Sequence, residues 1–226
     1  MAMCEDDAHC ESDRLRMIER DLRGRDITDP DVLRVMGEIP REEFVPLEQR
    51  DGAYLDQPLP IGGGQTISQP YIVARMTELL GLKGTERVLE IGGGSGYQTA
   101  VLSALAKRVY TIERLSVLAA ELKKKVVEFG LRNVSVRCDD GTAGWKVYAP
   151  FDAILVAAGG PEIPEPLLEQ LEIGGRLVIP VGETQKSQML IRVTRTANGY
   201  EKENCGPCAF VPLIGQHGWE RSFGRD

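Results

Sequence analysis

Apolar positions in the central part of the chain follow two alternating patterns. Five short segments are nearly continuous apolar runs, which is typical of strands covered on both faces of a parallel sheet. They occupy residues 87–91, 108–112, 133–138, 151–156 and 175–181. Between them, apolar residues recur with helical spacing. The predicted helices occupy residues 96–106, 115–129 and 164–171. This alternation predicts a doubly wound α/β fold with a mostly parallel sheet.

The C-terminal part of the chain departs from this alternation. Residues 188–196 alternate apolar and polar side chains, as a strand with one exposed face does. Asn198-Gly199 follows, and both residues tolerate the positive φ angles of a hairpin turn. With residues 208–214 as the last strand, we expect the sheet to end in antiparallel strands.

The first forty residues predict helices outside the sheet. Residues 1–12 are polar and acidic and have no periodicity, so they predict a disordered tail. Helical spacing predicts a helix over residues 13–23. A second helix is expected to begin at Asp29-Pro30, with Asp29 as N-cap, and to end before Pro40.

Residues 44–67 contain three prolines and the triplet Gly62-Gly63-Gly64, and they predict a long loop without regular elements. Ser68 is expected to cap a helix that runs to about Leu80. We therefore expect one compact domain with three parts. These are the tail 1–12, the helices and covering loop of residues 13–80, and the α/β core of residues 81–226.

Composition narrows the class of protein. Of the 226 residues, 42% are hydrophobic, which is enough for a substantial core. The formal net charge of -7 disfavours electrostatic binding of nucleic acid. No apolar run approaches the roughly 20 residues of a membrane span, and the first residues lack the apolar region of a signal peptide. We therefore expect a cytoplasmic protein whose five cysteines are reduced thiols.

The strongest chemical signal is the segment Val88 to Ala100, with the sequence VLEIGGGSGYQTA. A strand that leads into a glycine-rich turn and a helix is where an α/β sheet binds a nucleoside-bearing cofactor. A dinucleotide site requires G-x-G-x-x-G, and a register from Gly93 meets Gln98 instead of the third glycine. The G-x-G-x-G form, with an acidic residue at Glu90, resembles the class I, Rossmann-like S-adenosylmethionine-dependent methyltransferases.

Two further acidic positions fit this cofactor. Glu113 closes the second strand, about 20 residues after the loop, where a carboxylate can accept both ribose hydroxyls. Asp140-Gly141 follows the third strand, and we expect Asp140 near the adenine amino group. Each position also has a plainer interpretation: a solvated strand-end charge for Glu113, and an ordinary Asp-Gly turn for Asp140.

Together the motifs resemble the protein-L-isoaspartate O-methyltransferase family over roughly residues 13–219. The resemblance depends most on Gln65-Thr66-Ile67-Ser68-Gln69-Pro70 and on the glycine loop, and it extends to Phe210-Val211-Pro212-Leu213. Two positions depart from the family pattern: Gly93, where Thr is frequent, and Asp139, where Gly is frequent.

The resemblance implies methyl transfer from S-adenosylmethionine, leaving S-adenosylhomocysteine, to the free α-carboxylate of L-isoaspartyl residues in damaged proteins. The ester then collapses to a succinimide, whose hydrolysis restores some aspartate. The partners implied are isoaspartyl peptides and proteins, without nucleic acid or membrane, and we expect a monomer. The implied cofactor residues are Gln65, Thr66, Ile67, Glu90, Gly92, Gly93, Gly94, Glu113, Asp140 and Gly141.

The substrate carboxylate, with an ordinary pKa of about 3.5, is ionised at neutral pH and needs no general base. Catalysis should therefore depend on alignment of the acceptor oxygen. Ser68 is the expected catalytic residue, because its hydroxyl could hold that carboxylate beside the amides of a helix N-terminus. The expected substrate contacts are Thr66, Ser68, Val211, Pro212 and Leu213. Asp56 is expected to organise the loop, and no metal ligands are expected.

Alternatives remain at this point. Another class I methyltransferase with a different acceptor would carry the same glycine loop. Cys205-Gly206-Pro207-Cys208 resembles a thiol–disulfide active site, although the residues that follow are strand-like and not helical. Ser68 could also serve only as a helix cap, and residues 211–213 could serve only as core.

Overall fold

The computed structural model describes residues 3–184 and 187–220. The strands in this part of the chain are β1 Leu59–Gly62, β2 Gln65–Ile67, β3 Arg87–Ile91, β4 Arg108–Glu113, β5 Val134–Cys138, β6 Phe151–Val156, β7 Leu171–Thr184, β8 Ser187–Thr196 and β9 Gly199–Cys208. The helices are α1 Met3–Arg16, α2 Pro30–Glu38, α3 Pro70–Leu80, α4 Tyr97–Leu105, α5 Ser116–Glu128 and α6 Glu165–Glu169. Helix α1 continues as a π-helical segment, Met17–Arg23.

Seven of these strands form one sheet in the order β5-β4-β3-β6-β7-β8-β9. Neighbours from β5 to β7 are parallel, whereas β7-β8 and β8-β9 are antiparallel. The predicted doubly wound, mostly parallel sheet with antiparallel C-terminal strands is confirmed. The chain leaves β3 toward β4 and returns on its other side as β6, so the carboxyl end of β3 is the switch point where such sheets bind ligands.

Both faces of the sheet are buried. One face, including Val88 and Val109, packs against Met76 of α3 and Leu102 of α4. The opposite face, including Leu89, packs against Leu167 of α6 and other apolar side chains. Burial on both faces explains why the strand sequences are apolar throughout instead of alternating.

The last strand is not residues 208–214 but β9, which ends at Cys208. A hairpin is confirmed in this region, but its turn is Ala197-Asn198, and Gly199 begins β9 opposite Thr196 of β8. Beyond β9, Pro212 lacks the amide hydrogen that a ladder requires. Residues 209–214 instead cross the sheet end and form a single bridge to Gly159.

The N-terminal region is more regular than its sequence predicts. Residues 3–12, expected to be part of a disordered tail, lie in α1, while residues 1 and 2 are outside the described range. Arg14 and Arg16 in the last turn of α1 complement the helix dipole. No helix in residues 3–184 and 187–220 combines the length and apolarity needed to cross a membrane.

The expected irregular loop of residues 44–67 also contains regular structure. Leu47–Gly52 is a 3₁₀ helix, and β1 and β2 form an antiparallel hairpin. Gly63 and Gly64 have φ angles of 59° and 70°, which suit a tight hairpin turn. The run of glycines that indicated a loop is therefore the turn of a hairpin, and this hairpin carries residues 65–67 to the sheet end.

Candidate active site

A cleft lies at the carboxyl end of β3, where the strand order reverses. Its wall includes the loop after β3, the turn after β4, residues 65–68 and residues 210–214, together with residues of α3 and α4 and of the turns after β5 and β6. Twelve of the residues predicted to contact cofactor or substrate lie on its wall. They are Gln65, Thr66, Ile67, Ser68, Gly92, Gly93, Gly94, Glu113, Gly141, Val211, Pro212 and Leu213.

The glycine loop is tightly folded against the sheet. The Gly92 amide donates to the Ile112 carbonyl at 2.8 Å, and the φ angles of Gly92, Gly94 and Gly96 are 90°, 51° and 89°. These values lie in the left-handed region that favours glycine. The loop therefore brings bare main chain to the cleft.

Gly93 faces the protein interior. A Cβ there would lie 2.5 Å from Leu122 Cδ2 and 2.6 Å from Thr111 Oγ1, both too close for a carbon atom. Leu122 and Thr111 thus fill the space that a side chain at this position would occupy. The departure from the family pattern at Gly93 is accommodated by these neighbours.

Glu113 joins the loop to the turn after β4. Its Oε2 accepts the Gly94 amide at 3.0 Å and its Oε1 accepts the Leu115 amide at 2.8 Å. The side chain is almost wholly buried yet lines the cleft. A carboxylate has about four acceptor positions, so Glu113 keeps capacity for two hydroxyl donors.

Glu90 lies beneath the glycine loop and not on the cleft wall. It is fully buried, and Thr99 donates its hydroxyl to Oε2 at 2.5 Å. Burial raises the pKa of Glu90 to about 7, although the Thr99 hydrogen bond opposes the shift. The Glu90 carboxyl therefore supports the glycine loop from below, and its expected contact with the cofactor stays a prediction.

Asp140 and Gly141 have different surroundings. Gly141 lines the cleft, and a Cβ there would lie 2.4 Å from Ile91 Cγ2, so the close approach to β3 requires glycine. The Asp140 carboxylate accepts the Thr142 amide at 2.9 Å and the Gln216 amide at 2.7 Å. Burial alone would raise the pKa of Asp140, but these hydrogen bonds outweigh it and hold that pKa below its usual value. Asp140 is not on the cleft wall, so its expected contact with adenine stays a prediction.

Ser68 lies on the wall but does not cap α3. The N-cap is Gln69, and Pro70 occupies the first helical position. The Tyr71 amide donates to Asp56 Oδ1 at 3.0 Å, and Arg25 pairs with Asp56 Oδ2 at 3.0 Å. Asp56 therefore organises this segment, as expected. It also occupies the helix-end position that was expected to help bind the substrate.

A groove adjoins the cleft on the other side of the segment that carries Ser68. Five residues line both cavities: Thr66, Ser68, Ala157, Phe210 and Val211. The groove continues along Pro58, Gln69 and Tyr71, and the guanidinium of Arg25 lies 3.3 Å from the centre of the Tyr71 ring. Two ligands, one in each cavity, would therefore meet at this shared wall.

The segment 210–213 is fixed from two sides. Gly159 donates to the Val211 carbonyl and accepts the Leu213 amide, both at 2.8 Å. The buried amide side chain of Gln188 accepts the Phe210 amide at 2.9 Å and donates to the Phe210 carbonyl at 3.1 Å. Gln188 had no motif of its own, and its distance in sequence from residue 210 concealed its part in the site.

Other wall residues were missed for a simpler reason. Arg114 and Leu115 follow Glu113 directly, and Ala157 follows β6 directly. Because the carboxyl ends of parallel strands share one edge of the sheet, their positions after the strands could have identified them. Arg41, which donates to the Ser68 carbonyl, was also missed.

Cys205 and Cys208 lack the properties of a thiol–disulfide site. Both are free thiols near the end of β9. Burial raises the pKa of Cys205 and, more strongly, that of Cys208, to about 11. A reactive thiol needs the opposite shift. Among residues 3–184 and 187–220, no group of three or more His, Cys, Asp or Glu side chains could hold a metal ion.

The cleft suits a nucleoside-bearing cofactor. Gly92 and Gly94 expose main chain, and a Cβ on Gly92 would come no closer than 3.6 Å to its nearest neighbours in Ala157. Arg114 is the one cationic side chain on the described wall, and Glu113 adds a negative charge. Such a wall is compatible with a cationic sulfonium.

A G-x-G-x-G loop at the switch point, an acid at the end of the next strand and this cleft define the class: a class I S-adenosylmethionine-dependent methyltransferase. The family model for protein-L-isoaspartate(D-aspartate) O-methyltransferase matches residues 12–218. The chain belongs to that family, as the sequence motifs predicted.

Comparisons with individual relatives support the same family assignment. The chain is 55% identical over 209 residues to the protein-L-isoaspartate O-methyltransferase of Syntrophus aciditrophicus (strain SB). The matched region covers 91% of this chain and 95% of that protein. A solved protein-L-isoaspartate O-methyltransferase superposes with a TM-score of 0.80 at 30% identity, over 91% of this chain and 67% of that one. A Plasmodium falciparum structure described as the same enzyme, in complex with S-adenosyl-L-homocysteine, gives a TM-score of 0.75 at 26% identity, over 89% and 98% of the two chains.

Proposed function

We propose that this methyltransferase binds S-adenosylmethionine in the cleft and an isoaspartyl peptide in the groove, and that the α-carboxylate accepts the methyl group at their shared wall. The observation that carries this proposal is that Thr66, Ser68 and Val211 line both cavities. Direct transfer requires the donor and the acceptor to meet where the two cavities adjoin, at these shared residues.

The cofactor is held by main chain and one carboxylate. Gly92 and Gly94 let the main chain approach it, Gly93 keeps the loop close to the sheet, and Glu113 accepts the ribose hydroxyls. Gln65, Thr66 and Ile67 cover it from the hairpin side, and Gly141 lies on the wall near the adenine. When bound, S-adenosylmethionine supplies an electrophilic methyl group on its sulfonium.

The protein's task toward the acceptor is positioning. An ionised carboxylate is already the nucleophile, so no side chain needs to remove a proton. The Ser68 hydroxyl, helped by Thr66, holds the carboxylate in line, and the amides of α3 do not, because Asp56 occupies the Tyr71 amide. Pro212 has no amide hydrogen, so residues 211–213 provide a mainly apolar wall that limits access of water.

We also infer a monomer in the cytoplasm that acts without nucleic acid. The net charge of -7 supports the absence of nucleic acid, and the free thiols support a reducing compartment. Sedimentation equilibrium should give a mass near 24.9 kDa.

The repair reaction can be followed on one peptide. We expect an isoaspartyl peptide, incubated with the enzyme and S-adenosylmethionine, to gain the mass of one methyl group, then to form the succinimide, and finally to yield some aspartyl peptide. Liquid chromatography with mass spectrometry resolves all four species. Unchanged isoaspartyl peptide, under conditions in which the enzyme binds S-adenosylhomocysteine, would contradict the proposal.

A further inference from the structure

Arg41 is a fully buried cation beside the proposed acceptor site. It begins the 3₁₀ turn Arg41–Phe44, and none of its side chain is exposed to solvent. Its Nε donates to the Ala53 carbonyl and its Nη2 donates to the Ser68 carbonyl, each at 2.7 Å. One side chain thus links the segment that carries Asp56 to the segment that carries Ser68.

The surroundings of Arg41 are costly for a charged group. Its Nη1 is buried without a hydrogen-bond partner, and no ion pair of the described residues includes Arg41. The guanidinium lies 4.8 Å from the centre of the Tyr97 ring, and Tyr97 itself lines the cleft. Burial lowers the pKa of Arg41 to about 10, so the side chain stays charged at neutral pH. An apolar residue would avoid this cost but would leave the Ala53 and Ser68 carbonyls without the hydrogen bonds that Arg41 donates.

The shape of the guanidinium explains why arginine serves here. Its donors are fixed in a planar fork, so Nε and Nη2 reach two carbonyls at the same time. A lysine ammonium lacks this planar fork and would have to serve both carbonyls from a single nitrogen atom. The Ser68 carbonyl has no helical partner, because α3 begins at Pro70. Arg41 is the group that fixes the Ser68 main chain.

We propose that Arg41 is a positioning residue for methyl transfer, which orients the Ser68 hydroxyl toward the acceptor by holding the Ser68 and Ala53 carbonyls. This inference rests on the role of Ser68 in the proposed function. Arg41 is not on the wall of either cavity. Its effect must therefore pass through the groups that it contacts, and among these Ser68 lies on the walls of both cavities. The dependence on Ser68 can be measured.

Arg176 offers a matched control. Its Nη1 donates to the Leu80 carbonyl at 2.9 Å and lies 3.4 Å from the Gly81 carbonyl, at the other end of α3. Arg41→Lys and Arg176→Lys therefore make the same chemical change to arginines that hold main-chain carbonyls at opposite ends of one helix. Only the first lies beside the acceptor.

The test is a double-mutant cycle on the full chain. We expect Arg41→Lys to lower kcat/KM for an isoaspartyl peptide about tenfold or more, with the Kd for S-adenosylhomocysteine changed less than about threefold. In the Ser68→Ala background the same change should lower kcat/KM less than about threefold. Arg176→Lys should leave kcat/KM within about threefold of the wild type.

Hydrogen–deuterium exchange provides a readout without turnover. We expect faster exchange of the amides of residues 65–71 in Arg41→Lys, and no change there in Arg176→Lys. Equal losses of kcat/KM in the two backgrounds, or unchanged exchange at residues 65–71 in Arg41→Lys, would overturn the inference. If the wild type methylates no isoaspartyl peptide, the proposed function fails, and the exchange comparison alone decides whether Arg41 holds this segment.

Discussion

The cleft and the groove meet at Ser68 but are built in different ways. The cofactor side comes from residues at the ends of neighbouring strands, and the register of β3 with β4 alone brings the glycine loop to Glu113. The groove comes from residues far apart in sequence, from Arg25 to Val211. Single side chains hold it together: Asp56, Arg41 and Gln188.

Because the cleft and the groove are built differently, different substitutions should impair cofactor binding and peptide kinetics. The loop after β3 is supported by backbone hydrogen bonds and by the packing of Leu122 and Thr111 against Gly93. The wall of the groove depends on a few hydrogen bonds between side chains and main-chain groups. Changes on the cofactor side should therefore alter cofactor affinity, whereas changes on the groove side should alter peptide kinetics at constant cofactor affinity.

The largest effect is expected for Glu113→Ala. The change removes acceptors for the Gly94 and Leu115 amides and for the ribose hydroxyls. With hydrogen bonds to a charged group worth about 1.5–3 kcal/mol each, the Kd for S-adenosylhomocysteine should rise by about a hundredfold or more. Isothermal titration calorimetry measures it, and exposed Glu121→Ala on α5 is the control. An unchanged Kd would remove Glu113 from the cofactor site.

Ser68→Ala is expected to be next in size. It should lower kcat/KM for an isoaspartyl peptide by about 10–150-fold, because it removes one hydrogen bond to a charged acceptor. The Kd for S-adenosylhomocysteine should stay nearly the same. Steady-state kinetics and calorimetry together check the separation, with Ser116→Ala as a surface control. Unchanged kinetics would refute the role assigned to Ser68.

A smaller change is expected for Gln188→Glu. The carboxylate could still accept the Phe210 amide but could not donate to the Phe210 carbonyl. Residues 210–213 should loosen, and KM for the peptide should rise about fivefold, with cofactor affinity intact. Initial rates over a range of peptide concentrations measure this effect. Loss of cofactor affinity instead would show that the two sides of the site are not separable here.

The smallest functional effect is expected for Glu90→Gln, which should instead change the dependence of stability on pH. The pKa of Glu90 is raised to about 7 by burial, so the folded protein keeps this proton after the unfolded chain has lost it. Its contribution to stability is full below about pH 4 and is lost as the pH rises to about 7.

The amide of the variant does not titrate. From pH 4 to 7.5 the wild type should therefore lose roughly 3 kcal/mol of unfolding free energy relative to Glu90→Gln. Urea denaturation at several pH values measures the difference. A parallel pH dependence in the two proteins would show that Glu90 is ionised when folded.

The cofactor cleft could be predicted from the sequence to a greater extent than the groove. The central parallel strands, the glycine loop and Glu113 are local patterns, and each lies where its pattern indicated. The expected last strand at residues 208–214 was wrong, since β9 ends at Cys208. The sequence did not predict that Asp56 would replace Ser68 at the end of α3, because Pro70 and the distant Asp56 determine that together. Nor did it predict Arg41 or Gln188, since a buried hydrogen bond to distant main chain leaves no periodicity. The Gly62–Gly64 triplet suggested a loop because a turn and a loop have the same composition.

The most direct test of methyl transfer to the isoaspartyl α-carboxylate compares two acceptors. An isoaspartyl peptide and its aspartyl twin are each incubated with enzyme and methyl-labelled S-adenosylmethionine, and base-labile label is counted over time. Label should appear on the isoaspartyl peptide alone, at a rate that falls in Ser68→Ala. Equal labelling of both peptides, or label that resists base, would contradict transfer to the isoaspartyl α-carboxylate.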